Sequence, residues 1–512
     1  MKILGINAFH PDSSACIVVD GKIVVAIEEE RLRRIKHWSG FPNMAIQSCL
    51  EQTGIKLEEI QHVAINRDDN AHRSEKVLFS LKNRPSLKNI VNRVKKRRDI
   101  YDIANLFSEH FKIDINLIKK KIVKVEHHYA HLAATYLTSP YKESVVLSVD
   151  GFGDFVSTMW GIGYDNKIEI SDYVSFPHSL GILYQAITQY LGFMNYGDEY
   201  KVMGMSAYGK PEYLKEMNEL VKPVDDGRFE LNTKYFKHSY EGVSMEFENT
   251  YPKIGELFSY ELISLLGPRR EIDEPISQKH KNIAISLQST YENIFFHILD
   301  HLENKISTSK NLCLSGGCAQ NSLANGKIYK QTNYKNIWIQ PAAGDGGGAI
   351  GAALTLSNVI NNHKRHVLNS ASLGISYLEH SIISTINEYD LRDYHVEKIE
   401  TEEELITLIV DCLVSGYVIG LFNGRFEWGP RALGNRSIIA DPRIKDMKKL
   451  MNEKIKKREG FRPFAPSVLI DEVNDWFEHF EEVPFMTHVI KIKEDKKDII
   501  PSVTHIDGTG RL

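Results

Sequence analysis

Two histidines four residues apart, in the run Glu126-His127-His128-Tyr129-Ala130-His131, are the sharpest chemical signal in the sequence. On a helix, residues i and i+4 share a face, so His127 and His131 can grip one divalent ion while His128 lies about a third of a turn round. A further ligand must come from elsewhere. Asp345, in a glycine-flanked loop, and Asp150, at the end of an apolar run, have the right chemistry and setting. Two histidines with carboxylate suit iron(II) or a similar divalent ion better than a closed structural zinc site. The competing reading is a helix surface that merely carries several histidines.

Arginines form the second concentration. Asn423 to Ser437 holds Arg425, Arg431 and Arg436 among glycine, proline and aromatic residues, and Arg443, Arg458 and Arg462 follow. Guanidinium forks bind phosphate and carboxylate bidentately, so several converging would make an oxyanion pocket. Ion pairs that hold irregular loops are the alternative. A third group is glycine-rich: Ser315 to Asn321 and Pro341 to Gly348 each follow an apolar run and precede a helical one, which places backbone N–H groups where anions bind. The compact stretch Asn195 to Gly204 reads as a substrate or phosphate loop.

The elements that must carry these groups repeat. Lys2 to Ala8, Ala15 to Val19 and Lys22 to Ile27 read as strands, the last two joined by an Asp20-Gly21 turn. Ser144 to Val149, Phe155 to Ile162 and Lys167 to Ile170 repeat strand, polar turn, strand, tight turn, strand, which points to a duplicated domain. Asn311 to Leu314 and Asn336 to Gln340 are further strands, and Ala349 to Leu356 a small-residue helix. Helices are expected at Leu180 to Leu191 and Ile283 to Leu299, and over most of Ala71 to Ile122. The most apolar long window, Leu405 to Phe422, follows a Thr401-Glu404 capping pattern and reads as a buried helix and then a strand from Tyr417. A polar link at His363 to His366 divides the chain into 1–365 and 366–512. Together, two hairpin turns and two glycine loops resemble the actin, sugar-kinase and Hsp70 nucleotide-binding architecture, in which ATP sits between duplicated halves.

Composition narrows the classes. With 63 Lys+Arg against 67 Asp+Glu, the net charge is −4 and exerts no global pull toward nucleic acid. The basic run within 81–98 reads as a solvated helix face rather than a nucleic-acid patch. Five cysteines without paired spacing make no disulfide framework and fit a reducing cytoplasm. No window reads as a membrane span.

In their order and spacing these pieces resemble the NodU/CmcH family of O-carbamoyltransferases: His10-Pro-Asp12-Ser-Ser14, His127 to His131, Val149-Asp150-Gly151, Gly197 to Gly204, Gly316 to Asn321, Gly344-Asp345-Gly346, Gly429 to Arg436 and Phe461 to Pro466. The resemblance implies an α/β protein with a duplicated actin-like (ASKHA, Kae-type) N-terminal domain and a smaller YrdC-like α/β domain after it. It implies ATP-dependent formation of carbamoyl-adenylate from carbamoyl phosphate, then transfer to a small-molecule alcohol of specialised metabolism. His127, His131, Asp345 and Asp150 match the metal ligands, with magnesium a further ion beside the nucleotide. Gly316, Gly317, Asn321, Asp150 and Gly151 match the nucleotide site. Arg425 and Arg431 match positions that hold carbamoyl phosphate, with Arg462 and Arg511 beside them. His10 and Asp12 face the acceptor, one of them as general base, and Asp198 belongs to the acceptor loop. The same reading expects no nucleic-acid or membrane partner, a monomer or homodimer, and a chain that continues past Leu512. A tRNA threonylcarbamoyl-transfer enzyme and a non-catalytic actin-like ATP-binding regulator are the alternatives.

Overall fold

β1 (Lys2–Asn7) pairs antiparallel with β2 (Ser14–Val19), which turns back into β3 (Lys22–Glu28). Asp20 and Gly21 make that turn with φ of 47° and 86°, the two positive values a type I′ hairpin needs. β4 (His62–Ile65) joins β1 in parallel and β5 (Ile122–Lys124) joins β4, giving the order 3-2-1-4-5. The computed structural model describes residues 1–83, 102–243, 245–246, 252–479 and 481–512. Most of the basic run at 81–98 lies outside them.

The pattern recurs. β6 (Glu143–Gly153), β7 (Val156–Tyr164) and β8 (Lys167–Ser175) form an antiparallel meander, and β9 (Asn311–Ser315) and β10 (Asn336–Trp338) extend β6 in parallel. The second sheet, 8-7-6-9-10, has the same internal order as the first, as the duplicated strand patterns predict. Central strands are apolar on both faces because helices cover both. α1 (His127–Tyr136) contacts both β6 and β9. Glu126 caps it by accepting the Tyr129 N–H at 2.6 Å. α2 (Leu180–Tyr190), α3 (Glu199–Ser206), α4 (Gln278–His301), α5 (Ser322–Gln331) and α6 (Gly348–Leu354) complete the layers. The small residues of α6 bring it onto α1, and a Cβ on Gly351 would lie 1.8 Å from the Ala130 carbonyl oxygen.

From His363 onward the chain departs from expectation in three ways. Strand pairing there is confined, among the described residues, to two short ladders, Ile419–Gly420 with Ile438–Ile439 and β11 (Val489–Lys491) with β12 (Thr509–Arg511), and a single antiparallel bridge between Phe477 and Ile492. α7 (Glu402–Val414) forms where the Thr401 cap predicts, with Thr401 Oγ1 accepting the Glu404 N–H, but it is not buried. Leu405, Ile406, Leu408, Val410 and Val414 are 43–62 % exposed. An apolar stripe shows which face of a helix seeks a partner; it does not supply one. The segment at His363–His366 is not a loose link either: the Arg365 guanidinium donates to the carbonyls of Tyr136, Ser139, Tyr141 and Asp165.

The later residues are stitched to the first sheet. Ala26 N–H donates to Leu373 O at 3.0 Å, Gly374 N–H to Phe426 O, and Trp428 N–H to Ala371 O. The Trp428 ring is wholly buried in the cluster that holds Ile3, Ala133 and Ile350, with Nε1–H on Gln340 Oε1 at 3.2 Å. Trp428→Ala should therefore lower unfolding free energy by about 3–5 kcal/mol. Denaturant unfolding checks this, and a loss under about 1 kcal/mol would contradict the packing.

Candidate active site

The HxxxH spacing does what it predicts. On α1 the Nε2 atoms of His127 and His131 lie 3.0 Å apart, and two carboxylates face them. Asp150 Oδ2 is 3.0 Å from His131 Nε2 and 3.6 Å from His127 Nε2. Asp345 Oδ1 is 3.4 Å and 3.5 Å from the same two atoms. Bonds of about 2.0–2.2 Å to one cation place neighbouring ligands about 3.0–3.5 Å apart, so the four donors fit a divalent ion. They also fit electrostatically: burial opposes every charge here, as does repulsion between the two carboxylates and between the two histidines, yet each carboxylate is held below its ordinary pKa and each imidazole above its own, because the histidine–carboxylate contacts outweigh both. His128, by contrast, is structural, with ring nitrogens on Ser148 Oγ and the Val156 carbonyl.

Local backbone features create this pocket. The β6–β7 register shifts between Val149 and Gly153, and that bulge frees Asp150 from the ladder. A Cβ on Gly153 would lie 2.0 Å from His127 Cδ2, so only glycine leaves room for the ring. Asp150 then serves two neighbours, with Oδ2 toward the histidines and Oδ1 accepting the Gly317 N–H at 3.0 Å. The glycine loop and the metal cluster are thus parts of one site. Gly151 lies against α2, where a Cβ on Gly181 would meet Gly151 N at 2.7 Å. Asn321 caps α5 through the Ala324 N–H and pairs with Gln288, so its side chain is already engaged.

Arginines gather beside the Asn195–Gly204 stretch. The Arg462 guanidinium stacks 4.4 Å over Tyr200, and Arg511 feels the charge of Arg431. Burial, with Arg462 adding repulsion, pulls Arg431 down to about 10; Arg458 is pulled to about 10 in the same way. Burial and then Arg431 press Arg511 down as well. Guanidinium does not give up its proton in proteins, so this crowding expresses unmet demand for an anion. Among the described residues, neither Arg431 nor Arg511 has a carboxylate within ion-pair distance, while Arg462 has Glu459 at 3.6 Å. Arg425 lies apart from the group, donating to the carbonyls of Val24, Leu373 and Gly374.

The acceptor-side residues divide. His10 packs edge-on to His127, ring centroids 4.8 Å apart, and burial followed by His127 holds its pKa down to about 3. Asp12 lies against the metal loop, where a Cβ on Gly346 would be 3.3 Å from Asp12 O. Its Oδ1 faces His37 Nδ1 at 2.8 Å. Burial alone would lower the His37 pKa, but the Asp12 carboxylate overrides it and the pKa rises. Asp198 is buried, ion-paired to Lys201 at 2.9 Å. Two further residues tie the arginine loop to the metal loop: Glu28 Oε1 accepts the Gly429 N–H, Arg31 donates to Gly429 O, and Glu28 Cγ lies 3.8 Å from the Gly346 Cβ position. Sequence reasoning missed His37, Glu28, Arg31 and Trp428. The only local signal at His37 is a polar histidine opening the Gly- and Pro-bearing turn Trp38–Pro42.

Comparison with known proteins adds the following. The family model described as carbamoyltransferase N-terminus matches residues 2–354, and the one described as carbamoyltransferase C-terminus matches residues 410–512. The chain is 35% identical to the uncharacterized protein sll1178 of Synechocystis sp. over all of this chain and 86% of that one. It is 35% identical to the nodulation protein NolNO of Sinorhizobium fredii over 99% of this chain and 70% of that one. Among solved structures, HypF of T. kodakarensis matches 71% of this chain and 48% of its own at 11% identity, with a TM-score of 0.34, too low to equate the folds.

Proposed function

The chain belongs to the carbamoyltransferase family, and from that premise we propose that it forms carbamoyl-adenylate from carbamoyl phosphate and ATP and passes the carbamoyl group to a hydroxyl of a small molecule. The observation that carries this reading is the group Arg431, Arg462 and Arg511, in which partly buried positive charge exceeds the carboxylates at hand among the described residues. Phosphate is the ligand whose charge and shape answer it. The paired sheets support an actin-like nucleotide domain within residues 1–365. Residues 366–512 are, in this reading, its YrdC-like partner, which binds carbamoyl phosphate.

In this scheme the arginines neutralise carbamoyl phosphate while water cleaves it to carbamate and inorganic phosphate; a carbamate oxygen then attacks the α-phosphate of ATP and pyrophosphate leaves. Adenylation turns a poor leaving group into a good one. The Gly316-Gly317 turn would lie beside the adenylate, held in place by Gly316 N–H on Ala343 O and by Gly317 N–H on Asp150, which ties the turn to the histidines. His127, His131, Asp150 and Asp345 would hold the divalent ion, iron(II) in our reading, which would supply positive charge to the phosphate and a Lewis acid to the carbamoyl carbonyl. The five free cysteines support a cytoplasmic setting. Among the described residues no helix is long and apolar enough to cross a membrane.

The test is pyrophosphate release from ATP by the metal-loaded chain, with and without carbamoyl phosphate. Release that depends on carbamoyl phosphate is expected. Release that ignores it, or none at all, sinks the reading.

A further inference from the structure

Three side chains outside the metal cluster converge on the acceptor side: Asp12, Glu30 and His37 bring ligand atoms within 4.8 Å of one another. A second cation is the first thing such a trio could hold. Glu30 argues against it, because its carboxylate is already taken by Lys36 Nζ at 2.7 Å, Arg31 at 3.4 Å and the His37 N–H at 2.9 Å. A metal ion would have to displace two cations from one carboxylate. What remains is a geometry for moving a proton. Asp12 meets His37 through Nδ1, and a carboxylate on Nδ1 fixes the tautomer that leaves Nε2 with a free lone pair.

Nε2 faces the Asn195–Asp198 segment. A Cβ on Gly197 would lie 2.4 Å from His37 Nε2, and Gly197 has φ of 82°, so both space and backbone require glycine there. The Tyr196 ring stands edge-on to His37 at 5.3 Å between centroids. His37 retains about a quarter of its side-chain surface open, whereas His10 is pressed against His127. Asp12 reaches the metal loop with its backbone and His37 with its carboxylate, so the imidazole is held at the rim of the metal site.

We propose that His37 is the general base of the transfer step: Asp12 orients it through Nδ1, Glu30 pins its backbone, and Gly197 keeps Nε2 clear for the acceptor hydroxyl. The assignment rests on the transfer step proposed above. The hydroxyl proton passes to Nε2, the hydroxyl oxygen bonds to the carbamoyl carbon, and the bond from that carbon to the adenylate phosphate oxygen breaks, its electron pair leaving with AMP. The proton on His37 is then released to solvent. The other charged or titrating groups that face His37 are Lys36 and, from the helix packed across it, Glu199.

Two readouts separate this from a structural role. AMP release is followed with glycerol and with water alone as hydroxyl probes, alongside carbamoyl-phosphate-dependent exchange of pyrophosphate into ATP. His37→Gln should slow AMP release by about 10²-fold or more while exchange stays within about twofold, and added imidazole should restore part of the rate to His37→Ala. Unchanged AMP release, or equal loss of exchange, overturns the assignment. Imidazole nitrogen spectra then judge the dyad without any turnover. In the unaltered chain His37 should titrate above an ordinary histidine, and Asp12→Asn should bring it down. A His37 signal indifferent to Asp12→Asn overturns the dyad. Absent exchange in the unaltered chain instead overturns the adenylation reading, and the spectra still decide the pairing.

Discussion

Arg431→Ala is expected to cut carbamoyl-phosphate-dependent pyrophosphate release by about 10²–10³-fold, the range seen when one preorganised donor to a developing charge is removed. The size follows from the surroundings. Arg431 sits among Tyr200, Arg462 and Arg511 and, among the described residues, has no carboxylate partner whose loss would complicate the reading. Removing it relieves repulsion from Arg462 and Arg511, so the variant should fold at least as stably as the parent. The penalty appears only when phosphate enters. Arg431→Lys keeps the charge and loses the fork, so a smaller loss of about tenfold is expected. Matching rates for Arg431→Ala and the unaltered chain would show that carbamoyl phosphate binds elsewhere. Arg425→Ala makes the complementary comparison: its guanidinium holds three carbonyls, so its loss should register in unfolding free energy as well as in turnover.

The second large effect concerns the metal cluster. His131→Ala removes a donor that lies 3.0 Å from both His127 Nε2 and Asp150 Oδ2. Divalent-ion affinity should fall by more than the roughly 10–100-fold that loss of an outer hydrogen-bond partner costs. Transfer should fall with it, and pyrophosphate exchange should persist. Gly153→Ala reaches the same end without touching a ligand. Its Cβ would lie 2.0 Å from the His127 ring, which must swing away from Asp150 and Asp345. Direct titration of iron(II) or a spectroscopic surrogate such as cobalt(II) reads both variants. Full affinity in Gly153→Ala would mean that the ring reaches the ion by another path, and parallel loss of exchange in His131→Ala would contradict separate sites for the two half-reactions.

What the sequence made legible was local. Asp20-Gly21 announced its hairpin, and the strands on either side fall within a residue or two of expectation, because turn chemistry and apolar alternation act over a few residues. His127 and His131 were legible because a helix converts spacing into direction. Asp150 and Asp345 required only that both loops end strands of the same sheet region. Other features depend on contacts beyond any local window, between residues 25 to 401 positions apart. Arg425 looked like an anion ligand, yet its fork is spent on Val24, Leu373 and Gly374. α7 carries an apolar stripe that its periodicity reads as core, but whether a stripe is covered depends on another segment. His37 has no motif of its own, and its meaning comes from Asp12, twenty-five residues earlier.

Trp428 changes how the chain can be taken apart. It belongs by sequence to the later family segment and by packing to the core of the earlier one, in the buried cluster that also holds Ile3, Ala133 and Ile350. Arg31 and Glu28 grip Gly429 next to it. A cut at residue 365 would leave the first piece with a hole the size of an indole and the second with a bare tryptophan. Chimeras between relatives should therefore tolerate exchange only when Ala371–Arg431 travels with the sheet it completes. The two halves divide by sequence resemblance, but they inherit as one unit.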